Sequence, residues 1–412
     1  MTRIKDLSRK ADFMKNVLAI DIAKNKSMVY LQSEFGEIHI DPFEIDHTLS
    51  DFESLKNRVE YLNLNDVTIF MESTSTYHYP VQRYFKENGF NTHVINPIHS
   101  KSNTRTLRKT KTDKEDCINL ANLFFKGDIK NNNLEVSDLY DNLNILSRQM
   151  MFIDEGLTRV KNRYIQTINL TIPEAAECFK GKSLYGNTAL NLFYEFPHSE
   201  IIRKKRVDAL AHNMAKTNKR HLNYYMKKAT CLKTLSRNSY PGVDLSSYET
   251  QNLLQLIRLL KNYKVQKEIV KEKMIALAIQ SPLFKSVNSI FGIGEFSASL
   301  ILAELRDVTR FDNTKQVNAY CGLDPTIIQS GKTINYHGPI SKRGNKYARK
   351  YLFNACVSII TSSSRNNPDH PIYQYYIKKR SENKHYYDCI IACTTKLIRI
   401  IFSLCKNNTL FN

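Results

Sequence analysis

The chain has 412 residues, 42% of them hydrophobic and 24% charged, which excludes global disorder and predicts two to four domains, each able to bury a core. Its 60 Lys and Arg against 40 Asp and Glu give a formal charge of +20, which points to a polyanionic partner, either nucleic acid or an acidic membrane surface. The 13 Gly and 11 Pro are about half the usual frequency, so long uninterrupted helices are expected. The membrane reading weakens on inspection. The apolar run Val17–Ile20 behind the basic stretch Arg3–Lys15 is too short for a secretory signal, and the late apolar segment Cys389–Leu404 is interrupted by Lys396 and Arg399. The eight cysteines contain no Cys-x-x-Cys pair, and Cys389 and Cys393 lie one helical turn apart. Neither a disulfide framework nor a zinc site is expected, and a reducing cytoplasm fits best.

In chain order, Val17–Ile22 reads as a buried strand, followed by strands over Ser27–Gln32 and Glu37–Pro42. Leu49–Leu62 is expected to be helical, Val67–Met71 a fourth strand, Tyr77–Asn88 a helix and Thr92–Ile95 a fifth strand. A further helix opens near Asp113 and carries Ile118, Leu120, Ala121, Leu123 and Phe124. Three strands in a meander followed by alternating units imply a mixed sheet covered by helices, not a purely parallel doubly wound one. This α/β domain is placed at residues 15–130. From Val136 to Ile279 strand signals nearly vanish, and heptad-like spacing in Leu143, Leu146, Met150, Ile153, Leu157 and Val160, and again from Leu253 to Ile279, predicts long helices, a helical hairpin or coiled coil. That region is placed at 131–280, and a mostly helical third region at 281–412.

Four carboxylates stand out in the first domain. Asp21 lies within the first strand between Ile20 and Ile22, where an acid is costly unless paired or bound to a cation. Glu72 ends the fourth strand. Asp113 and Asp116 are spaced i,i+3 and share a helix face with Leu120 and Leu123, which would turn them toward the sheet. Three elements thus deliver acids to one end of a mixed sheet, the all-oxygen cluster that Mg²⁺ or Mn²⁺ takes in phosphodiester chemistry. Asp113 is open to a plainer reading as a helix N-cap, with Glu115 and Asp116 favoured by the helix dipole.

In the third region, Ser286 to Ala298 looks like a helix-hairpin-helix whose Gly292-x-Gly294 turn lets backbone N–H groups approach a phosphate, although a plain helix–turn–helix connection has the same outline. Downstream come Gly322-Leu323-Asp324-Pro325, Gln329-Ser330-Gly331-Lys332 and Gly338-Pro339-Ile340-Ser341-Lys342-Arg343-Gly344-Asn345-Lys346, with Arg349 and Lys350 following. Small-residue loops studded with Lys and Arg fit phosphate binding. Ser330 meets the local conditions for a nucleophile, though a lone Ser-Gly is more often a turn. Ser341 is the rival, better suited to a helix cap or phosphate contact.

Together these segments resemble the DEDD transposases of the one-hundred-and-ten insertion-sequence family, the bridge-RNA-guided recombinases. The resemblance runs from about Val17 to Leu397, with Ile-Ser-Lys-Arg-Gly-Asn its most specific piece. It implies a RuvC-like, RNase H-type domain, Mg²⁺ held by Asp21, Glu72, Asp113 and Asp116, and Ser330 as the residue that attacks DNA. It also implies two DNA duplexes as substrates, a noncoding bridge RNA, a homo-oligomer (dimer or tetramer) and a bacterial or archaeal cytoplasm, at the nucleoid. The first strand reads Ala-Ile-Asp where Gly-Ile-Asp is usual, which leaves the acid in register. Because acids and serine lie in different domains, a composite site is expected.

Lys332, Lys342, Arg343, Lys346 and Arg349 are expected to offset phosphate charge. The cluster Arg203, Lys204, Lys205, Arg206, Lys216, Lys219, Arg220, Lys227 and Lys228, beside Tyr224 and Tyr225, is expected to contact nucleic acid through charge and stacking. Tyr373, Tyr375, Tyr376, Tyr386 and Tyr387 offer a second such surface or simply pack a helix. A hydrolytic Holliday-junction resolvase using the same acids with water, and a noncatalytic nucleic-acid binder, remain the competing classes.

Overall fold

A computed structural model describes residues 15–95, 112–126, 138–216, 221–330 and 334–411. The chain divides into two compact units, residues 1–135 and 136–412. In the first, strands β1 (Asn16–Ile22), β2 (Lys26–Ser33), β3 (Ile38–Asp46), β4 (Val67–Glu72) and β5 (Asn91–Ile95) form one sheet in the order β3-β2-β1-β4-β5. The meander β1-β2-β3 is antiparallel, whereas β4 adds parallel to β1 and β5 parallel to β4. The mixed sheet expected from the order of elements is therefore present. Pro42 falls inside β3, where the ladder with β2 is irregular around Leu31. An edge strand tolerates the missing N–H.

Both faces of the sheet are covered. Helices α1 (Leu49–Tyr61) and α2 (His78–Glu87) pack Phe52, Leu55, Val59, Val81 and Phe85 against Leu18, Ile20, Ile22, Ile69 and Met71. Helix α3 (Asp113–Phe125) packs Cys117, Leu120, Ala121 and Leu123 against Val17, Ala19, Tyr30 and Phe70 on the other. Burial on both faces is why β1 and β4 read as nearly continuous apolar runs.

The second unit is built on two long helices, α4 (Asp138–Thr171) and, after a helical insertion, a helix over Tyr248–Ala278. They run antiparallel, as cross-contacts show: Tyr140 Oη meets Ser281 Oγ at 2.9 Å, Lys267 pairs with Asp154 at 2.5 Å, and Arg163 with Glu249 at 2.7 Å. A Cβ on Gly156 would stand 2.6 Å from Tyr263 Oη, so glycine lets that ring cross close to α4. The insertion comprises α5 (Ala175–Cys178), α6 (Asn187–Glu195), α7 (Ser199–Lys204), α8 (Val207–Ala215) and α9 (Leu222–Asn238). These close a core of Tyr164, Ile168, Phe179, Phe193, Tyr225 and Ile257 at one end of the pair, whose second helix is α10.

At the other end Leu143, Met150, Val270 and Met274 share a core with the C-terminal helices. These are α11 (Phe284–Asn288), α12 (Glu295–Leu305), α13 (Thr314–Cys321), α14 (Lys346–Asn366), α15 (Pro371–Ser381) and α16 (Tyr386–Asn407), with the hairpin β6 (Pro325–Ser330) and β7 (Ile334–Ile340) between α13 and α14. The helical middle and the C-terminal region, read separately from sequence, thus fall within one unit. Among the described residues, no helix is long and apolar enough to cross a membrane.

Candidate functional site

The backbone register places the first two acids. The parallel ladder between β1 and β4 ends at Ile20 with Met71, so Asp21 and Glu72 are the next residues of the two strands, level with each other. Alternation puts Asp21 on the face of Val17 and Ala19, and Glu72 on the face of Phe70, which is the face that α3 covers. Both are half-buried. The first turn of α3 is anchored at this end of the sheet by Cys117, whose Sγ donates to the carbonyls of Ala19 (3.4 Å) and Met28 (3.3 Å). Burial pushes the Cys117 thiol up to about 12, and Asp21 and Asp116 are among the smaller influences on it. Lys26 is held above the ordinary lysine value by its hydrogen bond and charge contact with Glu44, with a smaller contribution from Asp113. Asp21 and Glu72 are thus level at one end of the face that α3 covers, and Asp113 and Asp116 lie in the first turn of that helix.

Thr112, not Asp113, caps α3, its side chain accepting from Glu115 N at 3.3 Å. Asp113 is therefore not the cap, but with Glu115 and Asp116 it lies in the first turn, where the helix dipole favours acids; Asp113 is exposed, not turned toward the sheet as its spacing suggests, while Asp116 is half-buried. The donors suit a hard cation in kind, being all oxygen. As the side chains stand, however, no group of three or more His, Cys, Asp or Glu among the described residues is close enough to hold a metal ion.

In the second unit, two sequence motifs form one structure. Gly322 ends α13 in the left-handed conformation at φ 64°, and the 341–345 loop is stitched to it: Ser341 N–H donates to Asp324 O (2.8 Å), Lys342 N–H to Gly322 O (3.1 Å) and Asn345 N–H to Tyr320 O (2.7 Å). Ser341 Oγ donates to Asp324 Oδ1 at 2.8 Å, and Arg349 Nη1 to Cys321 O at 2.7 Å. The fit is tight enough that a Cβ on Gly322 would lie 2.2 Å from Arg343 O, and one on Gly344 2.4 Å from Tyr320 O. Ser341 is not the helix cap; Asn345 is, accepting from the N–H groups of Tyr347 and Ala348. Lys342, Arg343 and Lys346 are left exposed, with Lys342 at φ 54°. Ser330 is the last residue of β6, paired across the hairpin with Ile334. Lys332 lies outside the described residues.

Beneath this loop sits a network that the sequence reading missed. Glu304 of α12 is fully buried and accepts from Arg148 Nη1 (2.9 Å) and Nη2 (3.0 Å), Ser147 Oγ (2.7 Å) and Asn345 Nδ2 (2.8 Å). Arg148 also stacks over the Tyr347 ring, 3.6 Å from its centroid. A lone Glu within the apolar run Ser-Leu-Ile-Leu-Ala-Glu-Leu was the available signal, because an acid there needs a buried cation. The two-glycine turn is present between α11 and α12. A Cβ on Gly292 would stand 2.7 Å from Ile359 Cα, so close packing on α14 accounts for that glycine internally, while Gly294 faces open space.

Residues 18–173 match a family model described as a transposase, the DEDD transposase of IS110, and residues 285–372 match one for transposases of the IS116/IS110/IS902 family. Together they cover more than half of the chain, including all four acids and the whole Gly322–Lys346 cradle. The chain belongs to the IS110 family of transposases. Relatives include an IS110 insertion-element protein of 43.6 kDa from Streptomyces coelicolor, 24% identical over 35% of this chain and 34% of its own length. A pilin gene-inverting protein of Moraxella bovis is 30% identical over 30% of this chain and 37% of its own. The transposase for insertion sequence element IS1111A of Coxiella burnetii is 27% identical over 32% and 36%. The chain spans about a third of the length of the curated relatives it matches.

The remaining basic residues of this IS110-family chain divide by environment. Arg203 donates to the carbonyls of Ser236 (2.9 Å) and Ser239 (2.7 Å), which ties it into the insertion, whereas Arg206 makes only an exposed surface pair with Asp208 at 2.8 Å. Lys228 lies over Phe179 (4.4 Å) and Tyr224 (5.5 Å), whereas Lys204, Lys205, Lys216 and Lys227 are exposed. Lys219 and Arg220 lie outside the described residues. Tyr225 is 1% exposed and belongs to the core, which rules it out for base stacking and corrects the sequence expectation; Tyr224 is 40% exposed. Tyr373, Tyr375 and Tyr376 pack against the C-terminal core, and Tyr387 is exposed.

Proposed function

We propose that this chain is a transposase that cuts and rejoins DNA through a serine nucleophile, aided by Mg²⁺ and guided by a bridge RNA. The reading is supported by the level placement of Asp21 and Glu72 at one end of the sheet face that α3 covers, with Asp113 and Asp116 in the first turn of that helix, in a chain that also matches the family's C-terminal model. In this proposal Ser330 Oγ attacks a phosphodiester, a phosphoserine bond forms as the leaving deoxyribose oxygen departs, and the retained bond energy allows religation without net hydrolysis. Asp21, Glu72, Asp113 and Asp116 would hold the cation, which supplies charge neutralisation at the reacting phosphate when bound. Lys342, Arg343 and Lys346, presented by the Gly322–Lys346 cradle, offset phosphate charge from the protein side. The exposed Lys204, Lys205 and Lys227 with Tyr224 suit nucleic-acid backbone contact and stacking.

Donor and target duplexes incubated with protein, RNA and Mg²⁺ test this directly. The proposal expects joined strands and a covalent protein–DNA adduct. Free 5′-phosphate ends without an adduct would instead establish the hydrolytic resolvase reading.

A further inference from the structure

Apart from Cys117 beneath the acids and Cys321 beside the cradle, two cysteines lie together in the helical insertion. Cys178 ends α5 and Cys231 lies mid-way along α9, 53 residues later, with their Sγ atoms 3.2 Å apart. The two residues belong to no sequence motif, so only the packing of α5 against α9 brings them together. Of the eight cysteines, Cys231 alone is exposed; the other seven, Cys178 included, are buried. Contact between an accessible thiol and a buried one is the arrangement of an attacking and a resolving cysteine. The surroundings hold it in place: Lys228, one turn before Cys231 on α9, lies over the ring of Phe179, the neighbour of Cys178. Arg203 ties α7 to the end of α9 through the carbonyls of Ser236 and Ser239, and Ser239 Oγ donates to the buried Glu174 at 2.7 Å.

We propose that Cys178 and Cys231 form an oxidation site, a dithiol that a peroxide converts to a disulfide, stapling α9 to the start of the insertion. Cys231 sulfur attacks the peroxide O–O bond, forming a sulfenic acid and releasing water. Cys178 sulfur then attacks the sulfenic sulfur, the S–S bond forms, and a second water leaves with the Cys178 proton. The two thiols lose two electrons and the peroxide gains them. Burial, with lesser contributions from Cys231, Glu174 and Glu177, raises the Cys178 thiol, so it stays protonated and waits on its exposed partner. The site lies outside the proposed reaction and stands whether or not that reading holds.

The test treats the full chain with hydrogen peroxide, alkylates the remaining thiols and maps peptides without reduction. A Cys178–Cys231 cross-linked peptide is expected, with two thiols lost per chain and recovery on treatment with dithiothreitol. Cys231→Ser should abolish the cross-link while leaving the far-UV spectrum unchanged, since the residue is exposed; Cys178→Ala should leave Cys231 as a trapped sulfenic acid. Separate alkylation of both cysteines after peroxide, or oxidation of Cys231 with Cys178 still free in the parent chain, would overturn the proposal.

Discussion

Replacing Arg148 by Met tests the network under the cradle. Glu304 is completely buried and accepts two of its four side-chain hydrogen bonds from Arg148. Arg148→Met removes both charge-assisted bonds and the ring contact with Tyr347, leaving the carboxylate with only the neutral donors Ser147 and Asn345. Stranding a buried charge costs about 3 kcal/mol or more. For a unit of this size that corresponds to a fall in melting temperature of about 6 °C or more. Far-UV circular dichroism melts and urea titrations at neutral pH measure it, and the abundant helix makes the signal large. The double variant Arg148→Met with Glu304→Leu should recover most of the loss, because a well-packed apolar pair removes the desolvation problem. An Arg148→Met protein as stable as the parent, or a double variant no better than the single, would refute the assignment of Glu304 as a charge that Arg148 must neutralise.

Other outcomes follow from the same structure. Gly322→Ala should destabilise the second unit by about 2 kcal/mol or more in urea titration, since a left-handed φ costs about 1–2 kcal/mol for a residue with a Cβ and that atom would collide with Arg343 O; an unchanged midpoint would mean the loop does not pack as described. His370 caps α15, Nδ1 accepting from Ile372 N at 3.2 Å, and burial, then Lys396, lower its pKa from 6.5. A lowered folded-state value means the stability is fully present above pH 6.5 and is lost as pH falls through the lower value. Replacing His370 by Asn keeps a capping oxygen without the titration and should flatten the decline in urea midpoint below pH 6.5, whereas an unaltered slope would exclude His370 as a contributor.

The sheet was legible because its physics is local. A strand buried on both faces writes a continuous apolar run, so β1 and β4 stood out, and Asp21 stood out against β1. An acidic end of the sheet could be argued from element order, but the level placement of Asp21 and Glu72 needed the parallel register of β1 with β4, which only pairing fixes. The cradle was half legible: Gly322-Leu323-Asp324 and Ser341–Asn345 were each picked out, yet nothing in either segment says they bond to one another. Tyr225 was misread because charge around it suggested a surface, while its helical phase turns it into the insertion's core. Glu304 with Arg148, and Cys178 with Cys231, are long-range pairs, and their meaning arises only when distant helices pack.

The proposed reaction stands or falls on whether DNA becomes covalently attached to Ser330. Incubation of Ser330→Ala with donor, target, RNA and Mg²⁺, beside the parent chain, and denaturing electrophoresis of labelled DNA give the answer. An adduct is expected with the parent, mapped to the peptide containing Ser330, and none with the variant. An intact adduct in Ser330→Ala would contradict that expectation and return the nucleophile to another residue.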